Sequence, residues 1–286
     1  MQSNSRFARS WRLSKDSWAV LKADRSLLAF PVVGSIAALL AFAIVVAPGV
    51  IVAAVADTAW PVIPFIAVAL YLTTFVTIYC GVGLAAATAQ VMDGQNATLR
   101  TGLAAARPHL GSIAKWALVQ ATVGLLLNLL QSLADSENGI LKIVGLILTL
   151  LVSVAWTLAS FFVIPLLAFE DLGPGDALKR SLAIIKEHWG ESVIGSAAIG
   201  GVVFLIGFLP GAALVIGGIA LGGAGIALAV VGAVLLIVAA IVGNTLSQVF
   251  RVALYRYVTG QGAAPGFASE DLERAFRPKG RRRLVA

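Results

Sequence analysis

Charge is what this sequence has least of. Only 12% of its 286 residues are Asp, Glu, Lys or Arg, about half the share of a soluble domain, while 59% are hydrophobic. No single water-bathed core hides that much apolar surface, so lipid must cover the remainder. Cysteine is nearly absent too: Cys80 stands alone, which excludes an intrachain disulfide and leaves the redox compartment undefined. Histidine occurs twice, at His109 and His188, with no Cys pair or His-Glu-x-x-His spacing to complete a zinc site. There is no glycine-rich phosphate loop between a strand and a helix, and no Ser, His, Asp set. Without a catalytic constellation we expect no enzyme, no cofactor and no metal.

The apolar residues fall in six runs long enough to cross about 30 Å of hydrocarbon. They lie near Leu27 to Val50, Val62 to Val91, Ile113 to Leu133, Ile140 to Phe169, Ser192 to Ile216 and Ile226 to Val258. The middles of these runs hold no Asp, Glu, Lys, Arg or His. An ionisable group there would cost at least about 2.5 to 3.5 kcal/mol and would mark a site, so proton-coupled pumping and midplane metal chemistry are disfavoured. Gly173-Pro174-Gly175-Asp176 matches the Gly-x-Gly-Asp string of intramembrane aspartyl proteases, but Asp176 follows a span and no second aspartate lies in one. It reads instead as the start of a helix, where a carboxylate caps free amides and meets the positive end of the dipole.

Threading six passes puts every Lys and Arg except Lys142 on one side. Basic residues near span ends resist translocation, so that side is the cytoplasm, and both termini lie there. The expected location is the inner or plasma membrane. The net charge of +7 then describes a basic membrane face and gives no evidence for nucleic acid. Its matching partner is the anionic leaflet, with other membrane proteins second. Ala54-Val55-Ala56 imitates a signal cleavage site, but the apolar run before it is too long for a signal peptide, and we expect an uncleaved span. Asn96, in a sequon with Thr98, falls in an expected cytoplasmic loop and should stay unmodified.

A threefold internal repeat organises the runs. Each pair of spans follows a short amphipathic segment: Phe7, Trp11, Trp18; then Leu99, Leu103, Ala106, Leu110; then Leu178, Leu182, Ile185, Trp189. Offsets of 92 and 79 residues superimpose them and also align Lys15, Arg107 and Lys186. At helical spacing each set makes one narrow stripe, as expected of a helix lying in the headgroup plane. The expected fold is all-α: a single six-span domain over 1–260, in three parallel repeats of interfacial helix, span, span (about 6–93, 94–172 and 173–260), then a short basic cytoplasmic tail, 261–286.

Candidate residues follow from this plan. Arg9, Trp11, Lys15, Trp18, Arg107, Lys186 and Trp189 are placed to contact anionic lipid. Trp11, Trp18, Trp116 and Trp189 are expected at the cytoplasmic interface, Trp60 at the outer one, and Trp156 inside the bundle. Asn244, Gln248, Arg251 and Tyr255 share one side of the last span; Arg251 can pair with Glu170 or Asp171. That stripe is either interhelical bonding or the wall of a cytoplasm-facing cavity. Gln90, Gln120, Asn128 and Gln131 pose the same choice. The function expected is a membrane scaffold or lipid-associated protein, with a small-molecule or lipid transporter along the pseudo-threefold axis as the alternative.

Some residues also carry a resemblance. Phe7-Ala8-Arg9-Ser10-Trp11, Phe30-Pro31, Ala253-Leu254-Tyr255-Arg256-Tyr257 and Ala275-Phe276-Arg277-Pro278-Lys279 resemble an uncharacterised family of bacterial and archaeal six-span proteins, over nearly the whole chain. That family is distantly similar to the membrane domain fused to some glycerophosphodiester phosphodiesterases, whose chemistry belongs to a separate soluble domain not expected here. The resemblance implies a fold and transfers no catalytic residue.

Overall fold

Apolar residues on every side of a segment leave the backbone no solvent to bond, so such a segment satisfies its own amides as a helix. The computed structural model describes residues 17–22, 24–135, 137, 139–170, 172–187 and 200–261, and among them it is helical with no strand. The helices are α1 (Ala29–Val55), α2 (Val62–Met92), α3 (Leu99–Ala106), α4 (Leu110–Ala134), α5 (Gly139–Ala159), α6 (Val163–Phe169), α7 (Pro174–Glu187), α8 (Leu209–Ala220) and α9 (Ile226–Val258). Six helical stretches are long and apolar enough to cross a membrane: 25–55, 62–92, 99–134, 139–169, 200–220 and 222–258.

The first, fourth and fifth stretches each differ from a regular helix over the expected run. The first runs on to Val55 because Pro48 is carried inside α1 rather than ending it; Gly49 beside it lets the Phe65 ring close in. A methyl on Gly49 would meet that ring at 2.7 to 2.9 Å. The fourth is broken over 160–162 into α5 and α6. The fifth, described from Gly200, contains a π-turn at Phe204–Phe208 just ahead of Pro210, whose missing N–H leaves the regular ladder interrupted there.

The chain divides into two compact units. The first holds residues 26–87 and 97–185 and contains two antiparallel hairpins. In α1/α2, Gly34 faces Cys80, and the Thr73 hydroxyl donates to Ala38 O at 3.5 Å. In α4/α5, Gly145 lies so near the backbone of Leu133 and Ala134 that a methyl would fall 2.5 Å from Ala134 N. The second unit holds residues up to 25, 88–96 and 186 onward, and contains the hairpin of the fifth and sixth stretches. There Gly207 abuts Ala239, Gly211 abuts Gly232 and Leu236, and Gly218 abuts Gly225 and Ala229. Small residues at that spacing let backbones touch, which is how helices associate where lipid removes the hydrophobic drive.

Burial concentrates in the latter part of the second helix of each hairpin. Val82, Leu84, Ala85 and Ala87 in α2, Phe161 to Leu167 across α5 and α6, and Leu246 to Tyr255 in α9 carry most of the core. The rest of the hairpins is coated with exposed Leu, Ile and Val, among them Leu39, Ile51, Leu150 and Ile237. Such a surface suits hydrocarbon and not water.

Candidate functional site

The second amphipathic segment is the short helix α3, joined to α4 by a single 3₁₀ turn. Thr98 caps α3, its hydroxyl accepting the Thr101 N–H at 3.1 Å, and Thr101 Oγ1 accepts the Thr98 N–H at 3.0 Å in return. One 3₁₀ turn, Arg107–His109, then passes the chain into α4; Pro108 supplies no N–H to the regular ladder there. The whole stretch spans 36 residues, roughly 54 Å at helical rise, so its first turns extend past the hydrocarbon. The third segment, α7, is a helix of its own, opened by Pro174 with Asp176 in the first turn, as expected for a helix start.

The side that each connector buries is rotated from the expected stripe. In α3 the buried residues are Gly102 and Ala106; in α7 they are Ala177, Ser181, Ile184 and Ile185. Leu182, expected at the centre of the α7 stripe, is 37% exposed. In α3 the small side chains of Gly102 and Ala106 allow close backbone approach on that side. The outward side of α7 thus presents Leu182 between Lys179 and Lys186, all exposed. Arg107 is exposed as well.

Both connectors contact the preceding span. Gly102 packs on Gly83 of α2 and against the Phe30 ring. The hydroxyl of Tyr79 donates to Leu103 O at 2.9 Å alongside. At α7 the Phe162 N–H, left without its helical acceptor by the break at 160–162, donates to Ser181 Oγ at 3.1 Å. The offset of 79 residues maps Gly102 to Ser181 and Gly83 to Phe162.

The polar side of α9 divides rather than lining one surface. Asn244 is exposed and Arg251 half-buried, whereas Gln248 is 6% and Tyr255 2% exposed. Gln248 Oε1 is buried with no donor among the described residues. Glu170, a candidate partner of Arg251, lies in the other unit, where Arg180 approaches its carboxylate at 4.0 Å. Asp171 is outside the described residues. A second arginine of α9, missed in the sequence, makes the closest ion pair: Arg256 Nη2 donates to Asp93 Oδ1 at 2.6 Å and Nη1 to Ala89 O at 3.3 Å. The two partners are far apart in sequence, and no spacing could have joined them.

The tryptophans split between lipid and protein. Trp18 and Trp60 are exposed, as interfacial rings should be. Trp116 is not interfacial: it is 1% exposed and stacks on Trp156 with ring centroids 5.5 Å apart. Stacking across α4 and α5 buries more ring surface than the headgroup region can offer. Trp156 Nε1 donates to Gln120 Oε1 at 2.6 Å, so Gln120 is an interhelical partner, while Asn128 donates within its own helix to Gly124 O. Arg9, Trp11, Lys15, Trp189 and His188 lie outside the described residues. No group of three His, Cys, Asp or Glu able to hold a metal occurs among the described residues.

These helices, with apolar exteriors and small-residue seams, define an all-α multi-pass integral membrane protein. Residues 62–266 match the model of a family of unknown function, DUF6159, and the chain belongs to that family. No curated protein and no solved structure matches it. The likeness to the membrane domain of glycerophosphodiester phosphodiesterases gains no support from these comparisons.

Proposed function

We propose that this protein is a non-enzymatic scaffold associated with the anionic leaflet of the inner or plasma membrane, with both termini in the cytoplasm. The observation that carries the reading is the division of α7, which buries Ala177, Ser181, Ile184 and Ile185 and turns Leu182, Lys179 and Lys186 outward. A helix held in this way offers one apolar anchor between two cations, the arrangement that seats in a headgroup layer. Trp18 and Arg107, exposed near the other connectors, suit the same role, as do Arg9, Lys15 and Trp189 by sequence. The gathering of basic residues on one side supplies the electrostatic part, at about 1 kcal/mol per side chain near an anionic surface.

Charge reversal tests it. The purified protein in nanodiscs should unfold at higher temperature with phosphatidylglycerol than with phosphatidylcholine. Glu at positions 9, 15, 107 and 186 should remove that difference. Stability and cellular location unaltered by the four reversals would count against the reading.

The alternative, transport along a pseudo-threefold axis, is favoured by one observation: the buried carbonyl of Gln248 with no donor among the described residues. Substrate-dependent flux in proteoliposomes that disappears in Arg251→Ala would support transport over scaffolding.

A further inference from the structure

We infer that the side of α4 bearing Gly124 and Asn128 is the contact between two copies of this chain, held by a reciprocal pair of Asn128 carboxamides. Hydrocarbon offers no hydrogen bond, so an exposed polar side chain within a span must find its partner in protein. Exposed hydroxyls do so inside their own helices: Thr77, Thr122 and Thr157 each donate to the carbonyl four residues back, at 2.7 or 2.8 Å. Asn128 is exposed and only partly satisfied in this way. Its Nδ2 donates to Gly124 O at 3.0 Å, and it makes no other side-chain bond among the described residues. A carboxamide has two N–H donors and an acceptor oxygen, so one N–H and the whole of Oδ1 are left over.

Depth makes this surplus matter. Asn128 stands six residues before Ala134, the last of α4, roughly 9 Å along the helix. Around and beyond it Leu125, Leu126, Leu129 and Leu133 are exposed, as lipid-facing side chains are. Gln131 and Asn244, nearer the polar ends of their spans, have headgroups and water at hand. The side in question is also turned away from the hairpin mate. α5 takes the flank of Trp116 and Gln120, and the Gln120 carboxamide is spent on Trp156 Nε1. Asn128 follows eight residues later, about 80° further round. One turn before it, Gly124 presents open space: a Cβ built there meets nothing within 4 Å. The bond to Gly124 O folds the carboxamide back over that glycine, with no side chain at 124 to shield it.

A second copy is the partner whose chemistry this surface specifies. All copies insert in one orientation, so a twofold axis along the membrane normal sets α4 beside α4 with like residues at like depth. Asn128 then faces Asn128. A carboxamide is its own complement: the spare N–H of each copy donates to Oδ1 of the other. Gly124 lies at the crossing and permits the close approach that these bonds need. A different membrane protein would need a matching polar group at the same depth, whereas a second copy carries one by symmetry. Lys179, Leu182 and Lys186 lie on another helix, so the pairing stands or falls apart from the headgroup reading.

The experiment follows energy transfer between donor- and acceptor-labelled copies of the full chain in liposomes, diluted with increasing lipid. The wild type should dimerise, and Asn128→Leu should raise the dissociation constant about tenfold or more, the worth of two interhelical hydrogen bonds in lipid. Gly124→Leu, which keeps the carboxamide but covers it, should weaken the dimer as well. In a Cys80→Ala background, which removes the one native thiol, Ala121→Cys on the same side should give disulfide-linked dimers, and Leu126→Cys on the far side should not. Wild type that stays monomeric at every density would overturn the inference by assigning this face to another partner. Energy transfer undiminished in Asn128→Leu, or in Gly124→Leu should the first fail to fold, would overturn it too. So would crosslinking through Leu126→Cys in place of Ala121→Cys.

Discussion

Adding one methyl at Gly232 should pull the last hairpin apart, and the seam's geometry sets the size of the effect. The new Cβ would lie 2.7 Å from Gly211 O, 2.7 Å from Val215 N and 2.8 Å from Leu214 Cβ. Two of these three are backbone atoms, so no rotamer change relieves them. Reaching ordinary contact at 3.4 Å requires the helices to separate by about 0.7 Å at this point, and a gap of that size forfeits a quarter to a half of each pair attraction. The loss spreads along the seam, because Gly211, Gly218 and Gly225 share the register. Overpacking of this kind costs about 1 to 3 kcal/mol, up to roughly a hundredfold in the unfolding equilibrium. Gly124→Ala in α4 is the control, since its Cβ meets nothing within 4 Å and the change should be neutral or slightly stabilising through helix propensity. Both variants can be followed by circular dichroism during SDS titration of the protein in mild micelles. A Gly232→Ala midpoint equal to that of wild type would refute the argument that backbone contact defines this seam.

Other consequences are smaller or more local. Trp156→Phe keeps most of the stack on Trp116 but removes the bond to Gln120; it should cost about 0.6 kcal/mol, the usual worth of an interhelical bond in lipid, and Gln120→Leu should cost no more. Trp156→Ala loses the ring as well and should destabilise by about 3 to 5 kcal/mol in the same titration. Ser181→Ala leaves the Phe162 N–H without its acceptor and should cost about 1 to 3 kcal/mol, seen as faster amide exchange at Phe162. A double-mutant cycle on Asp93→Asn and Arg256→Gln should give a coupling below about 1 kcal/mol that fades with added salt, because Asp93 is half exposed to solvent. A larger, salt-insensitive coupling would show that the pair is buried in the membrane-embedded protein.

How much could be read in advance differs from element to element. The spans were legible because lipid imposes a length and a composition on each crossing, and Val62–Met92 and Ile226–Val258 fall within a residue of expectation. The end of the first span was less legible: α1 continues past the expected Val50 to Val55 with Pro48 inside it. Periodicity located the connectors but gave no sign of which side packs on protein, a role taken by Gly102 and Ser181. Burial of Trp116 against Trp156 was not legible, because position near a span end reports depth and not neighbours. Within the candidate site, Gln248 and Tyr255 are buried while Asn244 is not, a distinction invisible to spacing because all three share one side of α9.

The sequence by itself determined that the described residues are helical and where the stretches long and apolar enough to cross a membrane lie. Hydrocarbon permits no unsatisfied amide and resists every charge, so composition along the chain is a sufficient rule for those properties. Tertiary structure alone decided which glycines touch, that Ser181 serves the broken helix at Phe162, and that Arg256 reaches Asp93. These are contacts between helices, and helix association in lipid turns on atomic fit rather than on the burial of apolar surface that periodicity reports.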